Sequence, residues 1–151
     1  MAYIKGDDRQ SSCIFCDLPS QPESDDRENL ILARGTLAFV ILNKFPYNSG
    51  HLMVAPYRHA GEWESLTAEE LAEITRWSQR SIESLKSTIG PHGFNVGVNQ
   101  GVSAGAGILD HVHLHVVPRW GGDTNFMTTV GETKVLPEAL EETYDRLKPH
   151  L

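Results

Sequence analysis

The sequence predicts an α+β domain in which an antiparallel sheet of about five strands packs against one long helix, with a further helix near the C-terminus. Short segments rich in Val, Ile, Leu and Phe, bounded by Gly, Pro or Asn, are typical of strands. One longer segment repeats apolar residues at helical spacing, which predicts an amphipathic helix. The predicted strands cover residues 30–33, 36–42, 51–55, 93–99 and 110–119.

The composition is that of a single globular domain. Of the 151 residues, 40% are hydrophobic and 22% are charged, which is ordinary for a soluble protein that buries its own core. No apolar run approaches the ~20 residues of a membrane span, and the polar residues 1–12 do not resemble a signal peptide. We therefore expect a cytoplasmic protein that does not bind membranes. The net charge of −7 disfavours nucleic-acid binding, which needs a basic face.

Residues 1–28 are predicted to form a polar, irregular N-terminal arm, and residues 29–151 to form the domain. The arm carries Cys13 and Cys16. A Cys-x-x-Cys pair places two thiols on one turn, as in half of a tetrahedral zinc site that histidines or carboxylates complete. A redox pair is less favoured, because such pairs begin a helix that follows a strand. Two thiols without a shared ligand are the third alternative.

The second predicted strand is followed by Asn43 and by a loop over residues 44–50, indicated by its Pro, Asn and Gly content. His51 then begins the third strand, which Pro56 ends. From the residues alone, Asn43 is at least as well explained as a cap on a turn, and His51 as a packing residue.

The long helix is predicted to begin at a capping box formed by Thr67 and Glu70 and to extend to about Ile89, where Gly90 and Pro91 end it. Its charged residues are expected on a solvated face, and Trp77 is expected to pack rather than to bind a ligand. The stripe expected to face the sheet contains Leu71, Ile74, Ser78, Ile82, Leu85 and Ile89.

The last predicted element is a helix that starts with Pro137 in its first turn and continues to about Leu147. Leu140, Tyr144 and Leu147 fall on one stripe, which is expected to face inward.

Three histidines alternate with apolar residues between Asp110 and Arg119. This period of two predicts a strand with one face against the core, from whose other face the imidazoles project roughly 7 Å apart. The alternating residues are His111, Val112, His113, Leu114, His115 and Val116. A loop with three glycines, residues 100–108, leads into this strand, and glycine lets backbone N–H groups approach an anion closely.

Three interpretations of the histidines compete. They are an exposed strand face, an open three-histidine metal site for hydrolysis, or a nucleophilic site in which one imidazole attacks phosphorus and a neighbour handles a proton. The glycine-rich loop beside them favours the third, because imidazole is nucleophilic and substantially neutral near pH 7.

The run His-Val-His-Leu-His-Val-Val resembles the motif of the histidine-triad (HIT) superfamily. The resemblance covers roughly residues 13–130 and implies a HIT-like fold. It includes Asn43, Gly50, His51, Pro56, the loop from Gly101 to Gly107, Pro118 and Arg119. The chain is most similar to fragile-histidine-triad-like dinucleoside polyphosphate hydrolases and bacterial diadenosine tetraphosphate phosphorylases; residues 118–127 resemble the bacterial group.

This resemblance implies a two-step reaction on a nucleotide substrate. His113 would attack the α-phosphorus to form a nucleotidyl-phosphohistidine, which water or inorganic phosphate would then cleave. His115 and the amides of the glycine-rich loop would stabilise the phosphoryl charge, while His51 and His111 would orient the nucleophile.

The resemblance also implies the residues that bind substrate. Asn43 would hold the ribose hydroxyls and Gln100 would lie near the scissile phosphate, while the backbone of Gly105, Ala106 and Gly107 would contact phosphate oxygens. Gly107 departs from the many hydrolytic relatives that have Gln or Ser at its position, so phosphate could replace water as acceptor. Given the negative net charge, phosphate attraction would be local, from backbone N–H groups, from the histidines and Arg119, or from Mg²⁺ on the substrate.

By the same resemblance, His59 and His111 would complete a structural zinc site with Cys13 and Cys16. Four protein ligands leave no open position on the metal. Most relatives are homodimers and some are tetramers, although the sequence itself shows no oligomer. Trp120 could stack on a base or pack at a subunit contact.

Two other functions remain as alternatives. One is a nucleotide-binding regulatory protein with little turnover, which the intact triad disfavours. The other is a nucleoside phosphoramidase, which is less favoured because those relatives usually carry Asp at the position of Asn43 and lack the segment Asn125, Phe126, Met127.

Overall fold

The protein contains one antiparallel five-stranded sheet, seen in a computed structural model that describes residues 13–107, 110–123 and 139–151. The strand order is β1-β2-β3-β5-β4, and every neighbouring pair is antiparallel. The strands are β1 Ile31–Arg34, β2 Ala38–Leu42, β3 Leu52–Pro56, β4 Gly93–Val98 and β5 Leu114–Arg119. The predicted α+β class is therefore confirmed.

Helical elements pack on both faces of the sheet, and they are numbered in chain order. The α-helices are α1 Ile14–Asp17, α2 Asp26–Asn29, α3 Ala68–Thr88 and α4 Leu140–Leu147. Single 3₁₀ turns cover Leu18–Ser20, Glu23–Asp25, Trp63–Ser65, Val102–Ala104 and Lys148–His150. Within the described part of the chain, no helix has the length and apolar character that crossing a membrane requires.

The N-terminal arm differs from its prediction. Residues 13–29 form a succession of short helical turns instead of irregular chain. The predicted helix start at Pro137 and the segment 125–127 lie outside the described residues, as do residues 1–12. The remainder of the predicted C-terminal helix is observed as α4, with Tyr144 and Leu147 buried as expected.

Helix α3 begins at the predicted capping box: the Thr67 hydroxyl accepts from the Glu70 amide at 3.0 Å, and Glu70 Oε1 accepts from the Thr67 amide at 2.9 Å. The expectation that all its charges are solvated was wrong. Glu73 is buried, and its Oε2 accepts from the amides of Leu37 and Ala38 at 2.7 and 2.8 Å. These two amide donors offset the cost of burying the carboxylate.

The two faces of the sheet have separate cores. The face under α3 and α4 packs, among others, Leu32, Val40, Leu42, Leu52, Val54, Ile74, Leu85, Val112, Val116, Tyr144 and Leu147. The opposite face packs Cys13, Phe15, Ile31, Phe39, Ile41, Met53 and Ala55. The arm therefore covers one face of the sheet, and the predicted long helix covers the other.

Strand β5 begins at Leu114, three residues later than His111, where the alternation of residue types suggested pairing. The β3–β5 register pairs Val54 with Leu114, so its continuation would set Val112 opposite Pro56. Proline has no N–H to donate to the ladder, and the Val112 amide donates instead to the Ala60 carbonyl at 2.7 Å. The first two histidines thus precede the regular strand.

Candidate active site and metal cluster

His113 lies one residue before β5, and one of its ring nitrogens is engaged in a hydrogen bond. Its Nδ1 is 2.9 Å from the His111 carbonyl oxygen. Because a carbonyl only accepts, Nδ1 carries the proton and Nε2 keeps a lone pair. The ring is 5% exposed, and burial lowers the pKa of His113 below its ordinary value of 6.5, against the opposing effect of the His111 hydrogen bond. His113 is therefore held as a neutral imidazole.

His115 has the opposite tautomer, which a chain of hydrogen bonds sets. The Tyr47 amide donates to His51 Nδ1 at 3.1 Å, so the His51 proton is on Nε2. That atom lies 2.9 Å from His115 Nδ1, which must accept and leaves Nε2–H as the His115 donor. Burial, followed by the nearby His113, lowers the pKa of His115 to about 4.

The rings of these two histidines lie side by side. The His113 and His115 centroids are 4.8 Å apart at an interplanar angle of 64°. His115 is paired with Met53 of β3, which puts it on the sheet face that the N-terminal arm covers. A neutral nitrogen with a lone pair therefore lies next to a ring that presents an N–H donor.

His111 lies earlier in the same segment, with its ring against the arm. Its Nε2 is 2.7 Å from the Pro56 carbonyl oxygen and must donate to it, so Nδ1 carries the lone pair. His111 is fully buried, and burial is the main reason that its pKa falls to about 4. A buried neutral imidazole with a fixed lone pair is a ready metal ligand.

That lone pair faces three further donors. The ligand atoms of Cys13, Cys16, His59 and His111 all lie within 4.8 Å of one another. His111 Nδ1 is 3.4 Å from Cys13 Sγ, 3.5 Å from Cys16 Sγ and 3.3 Å from His59 Nδ1, and Cys16 Sγ is 3.1 Å from His59 Nδ1. Ligands at tetrahedral zinc distances stand about 3.3 to 3.8 Å apart. The four residues therefore fit a metal ion with no position left open.

The thiols would have to lose their protons for a cation to bind at this position. Burial, reinforced by Cys13, raises the pKa of the Cys16 thiol to about 11. Two adjacent thiolates are stable there only with a positive partner, so metal binding would displace protons. Cys13 and Cys16 are not joined by a disulfide.

Asn43 adjoins the histidines but is engaged in its own turn. Its Oδ1 accepts from the Phe45 amide at 2.8 Å, and its Nδ2 is 3.4 Å from His51 Nε2. The turn-capping alternative is thus observed. The predicted ribose contact involves the same side chain and stays a prediction.

The predicted phosphate loop follows β4 and has two glycines at positive φ, Gly101 and Gly105. The amides of Gly105 and Ala106 donate within the loop, to the carbonyls of Val102 and Gly101. Their predicted contact with phosphate oxygens therefore requires a different loop conformation.

Gln100 is held by the 3₁₀ turn that precedes α3. Its Oε1 accepts from the Trp63 amide at 2.8 Å, and its Nε2 donates to Glu64 Oε1 at 3.1 Å. The predicted approach of Gln100 to the scissile phosphate would exchange these partners for the substrate.

The chain after β5 is organised by a carboxylate that sequence reasoning missed. Asp123 accepts from Arg119 at 2.7 and 3.0 Å and from Asn48 Nδ2 at 2.8 Å. Arg119 also donates to Asn95 Oδ1 at 2.6 Å. The Arg119 charge is neutralised by Asp123, in contrast to the expectation that it attracts phosphate. No sequence pattern pairs Asn48 with a residue 75 positions later.

Comparisons with known proteins agree with this geometry. A family model described as HIT domain matches residues 25–122. The chain is 47% identical over 142 residues to AP-4-A phosphorylase from Mycobacterium tuberculosis, an alignment covering 94% of this chain and 73% of the relative. It is 29% identical over 93 residues to bis(5'-adenosyl)-triphosphatase from Dictyostelium discoideum, covering 62% of each. The crystal structure of a Zn-bound histidine triad family protein from Mycobacterium smegmatis superposes with a TM-score of 0.72 at 25% identity, covering 92% of both chains.

Proposed function

Because this chain belongs to the HIT domain family, we propose that it is an enzyme that cleaves dinucleoside polyphosphates such as diadenosine tetraphosphate by nucleotidyl transfer to His113. The observation that carries the proposal is the pair of opposite tautomers: a lone pair on His113 Nε2 beside an N–H on His115 Nε2. The names of the relatives, AP-4-A phosphorylase and bis(5'-adenosyl)-triphosphatase, supply the substrate class.

In the first step, His113 Nε2 attacks the α-phosphorus of the substrate. A P–N bond forms, and the bond from that phosphorus to the bridging oxygen breaks, so that ATP leaves from diadenosine tetraphosphate and adenylate stays on the ring. Throughout this step, Nδ1–H of His113 keeps its hydrogen bond to the His111 carbonyl. The bond thereby stabilises the positive charge that develops on the imidazole.

His115 would act on the phosphoryl oxygens through its Nε2–H. A donor held in place before the reaction needs no reorganisation when charge develops, and this kind of stabilisation is often worth a few kcal/mol. His51 holds the His115 ring from behind, and Tyr47 holds His51. His51 and His111 are thus positioning residues, whereas His113 and His115 contact the reacting group.

In the second step, we propose that inorganic phosphate attacks the adenylyl-histidine and gives ADP. The P–N bond breaks and its electron pair returns to Nε2. The 47% identical phosphorylase supports phosphate over water. Gly107 also supports phosphate as the acceptor. A Cβ atom added at Gly107 would meet no atom of the described residues within 4 Å, so the loop leaves space beside this position.

Substrate binding is assigned to the same loops. Asn43 would hold the ribose, and Gln100 with the backbone of Gly105, Ala106 and Gly107 would hold the phosphates after the loop changes conformation. Mg²⁺ would accompany the substrate and reduce its charge, which the net charge of −7 otherwise repels.

We propose zinc as the ion held by Cys13, Cys16, His59 and His111. Bound there, it would supply structural cross-linking and no Lewis acid, since all four positions belong to the protein. The donor spacing and the zinc-bound relative support this choice. It joins the arm to the segment that carries the triad.

The test is incubation with diadenosine tetraphosphate, with and without ³²P-labelled phosphate, followed by separation of the products. Phosphorolysis gives ATP and ADP with the label in the β-phosphate of ADP. Hydrolysis gives ATP and unlabelled AMP, which would refute phosphate as acceptor while keeping the first step. Absence of any product would refute the cleavage of dinucleoside polyphosphates and leave the regulatory and phosphoramidase alternatives.

A homodimer or tetramer and a cytoplasmic location also belong to this proposal. Strand β4 lies at one edge of the sheet, and Val96 on it is 48% exposed, which offers an edge for a second copy. Light scattering would measure the oligomer, and cell fractionation the location.

A further inference from the structure

The aromatic ring of Phe15 lies against the proposed nucleophile. Its centroid is 4.6 Å from that of His113, with a tilt of 41°, and 5.3 Å from that of His111. The Phe15 side chain is 0% exposed. An apolar residue from the arm thus forms one wall of the pocket that holds His113.

We infer that Phe15 is a positioning residue that fixes the tilt of the His113 ring, an inference that rests on the proposed function. The Nδ1–H bond to the His111 carbonyl restrains the imidazole at one nitrogen, and the rings packed against its faces limit the remaining rotation about the Cβ–Cγ bond. His115 contacts the ring at 64°, and Phe15 contacts it at 41°. Attack on phosphorus requires Nε2 to be held within a fraction of an ångström of its productive position.

Phe15 is adjacent in the chain to the candidate metal ligands. It sits on α1 between Cys13 and Cys16, two of the four candidate ligands. A third ligand, His111, provides the carbonyl that fixes the tautomer of His113. A metal ion bound there would hold both Phe15 and the segment whose carbonyl sets the tautomer of His113, although it would touch no reacting atom.

The matched variants are Phe15→Leu and Phe39→Leu, prepared as zinc-loaded protein. Phe39 is equally buried and its ring is 6.3 Å from that of Phe15, so both variants lose a ring from one core. We expect Phe15→Leu to lower kcat about tenfold or more with KM within about twofold, and Phe39→Leu to leave kcat within about twofold. Zinc content measured on each variant excludes metal loss as the cause.

A second measurement needs no turnover. In protein labelled with ¹⁵N-histidine, the exchange of the His113 Nδ1 proton with water reports how firmly the ring is held. We expect exchange about tenfold faster in Phe15→Leu and unchanged in Phe39→Leu. Phe15→Met serves the same purpose if Phe15→Leu fails to fold, because it fills volume without a flat ring.

The outcomes are separable. Equal effects of the two Leu variants, or a fall in kcat without faster exchange, overturn the positioning role. Faster exchange with unchanged kcat also overturns it, since the tilt would then not limit the reaction. If the wild type cleaves no dinucleotide, the proposed function fails, and the exchange rates alone decide whether Phe15 holds the ring.

Discussion

The backbone carbonyl oxygen of His111 lies 2.9 Å from Nδ1 of His113. One histidine therefore serves two sites: its side chain belongs to the candidate metal cluster of Cys13, Cys16, His59 and His111, and its backbone sets the tautomer of the next histidine in the triad. Because Nε2 of His111 donates to the Pro56 carbonyl at 2.7 Å, the residue is fixed at three points. This arrangement places the lone pair of His113 on Nε2 without any charged partner.

Replacement of His113 should abolish the first step. We expect His113→Asn to reduce turnover by on the order of 10⁴-fold or more, because no other group supplies the nucleophile, while nucleotide still binds. Mass spectrometry of rapidly quenched samples should find an adenylate adduct on the wild-type peptide and none on the variant. His92→Asn is the control, since the His92 side chain is exposed and accepts from the Gly121 amide in the loop after β5. Near-normal turnover in His113→Asn would contradict the covalent route.

The rate should depend on pH in the direction set by burial. The attacking ring must be neutral, and burial lowers the pKa of His113 below 6.5. The neutral form therefore persists as the pH falls through 6.5 and is lost at a lower pH. We expect single-turnover release of ATP to be constant from about pH 8 to 6.5 and to fall only at a pH below 6.5. Working without phosphate avoids titration of the acceptor. A midpoint at or above 6.5 would count against a buried neutral nucleophile.

The sequence predicted the elements whose signals are local. Apolar segments bounded by Gly, Pro or Asn, and the alternation in the fifth of them, predicted all five strands, and the Thr67 capping box predicted the start of α3. Both signals depend on residues a few positions apart. The start of β5 depends on Pro56, which lies opposite Val112 only in the folded sheet. The burial of Glu73 depends on the amides of Leu37 and Ala38 in another element.

In the candidate site, too, the features with local sequence signals were predictable and those set by the folded chain were not. The histidines and cysteines were found because their residue types and spacing are rare. The family resemblance added His59 to the metal cluster, and the geometry agrees with it. Phe15 was overlooked, although an aromatic residue between two thiols in a polar arm was a usable signal. The tautomers could not be predicted, because they depend on the carbonyl of His111 and the amide of Tyr47 in the folded chain.

Loss of a metal ligand should destabilise the N-terminal arm, and it should not abolish turnover as loss of a reacting group would. We expect Cys16→Ser to reduce bound zinc from one per chain to none, to lower Tm by several degrees and to lower kcat only in part. Zinc content is measured by elemental analysis and Tm by calorimetry, with chelated wild type as a parallel sample. His92→Asn is again the control and should retain zinc. Loss of zinc from His113→Asn but not from Cys16→Ser would instead indicate an open three-histidine metal site.

Asp123 should matter because it joins two loops of the site. Its carboxylate accepts from Arg119 and from Asn48 of the 44–50 loop, and that loop carries Tyr47, whose amide sets the tautomer of His51. We expect Asp123→Asn to lower kcat/KM by about three- to tenfold through displacement of this loop. The matched control is Asp145→Asn, which removes an exposed ion pair with Arg27 and should have little effect.

The stabilisation that the Asp123 carboxylate provides should also depend on pH. Its ion pair with Arg119 is the main reason that the pKa of Asp123 lies below the ordinary value of 3.8. A lowered pKa means that the stabilisation is fully present above 3.8 and is lost as the pH falls through the folded-state value. The difference in Tm between wild type and Asp123→Asn should therefore be largest near neutral pH and should shrink below about pH 3.8. A difference that stays constant between about pH 7 and pH 3 would show that the carboxylate charge does not hold the loop, and that Asn48 is positioned by its 2.9 Å bond to the Pro118 carbonyl instead.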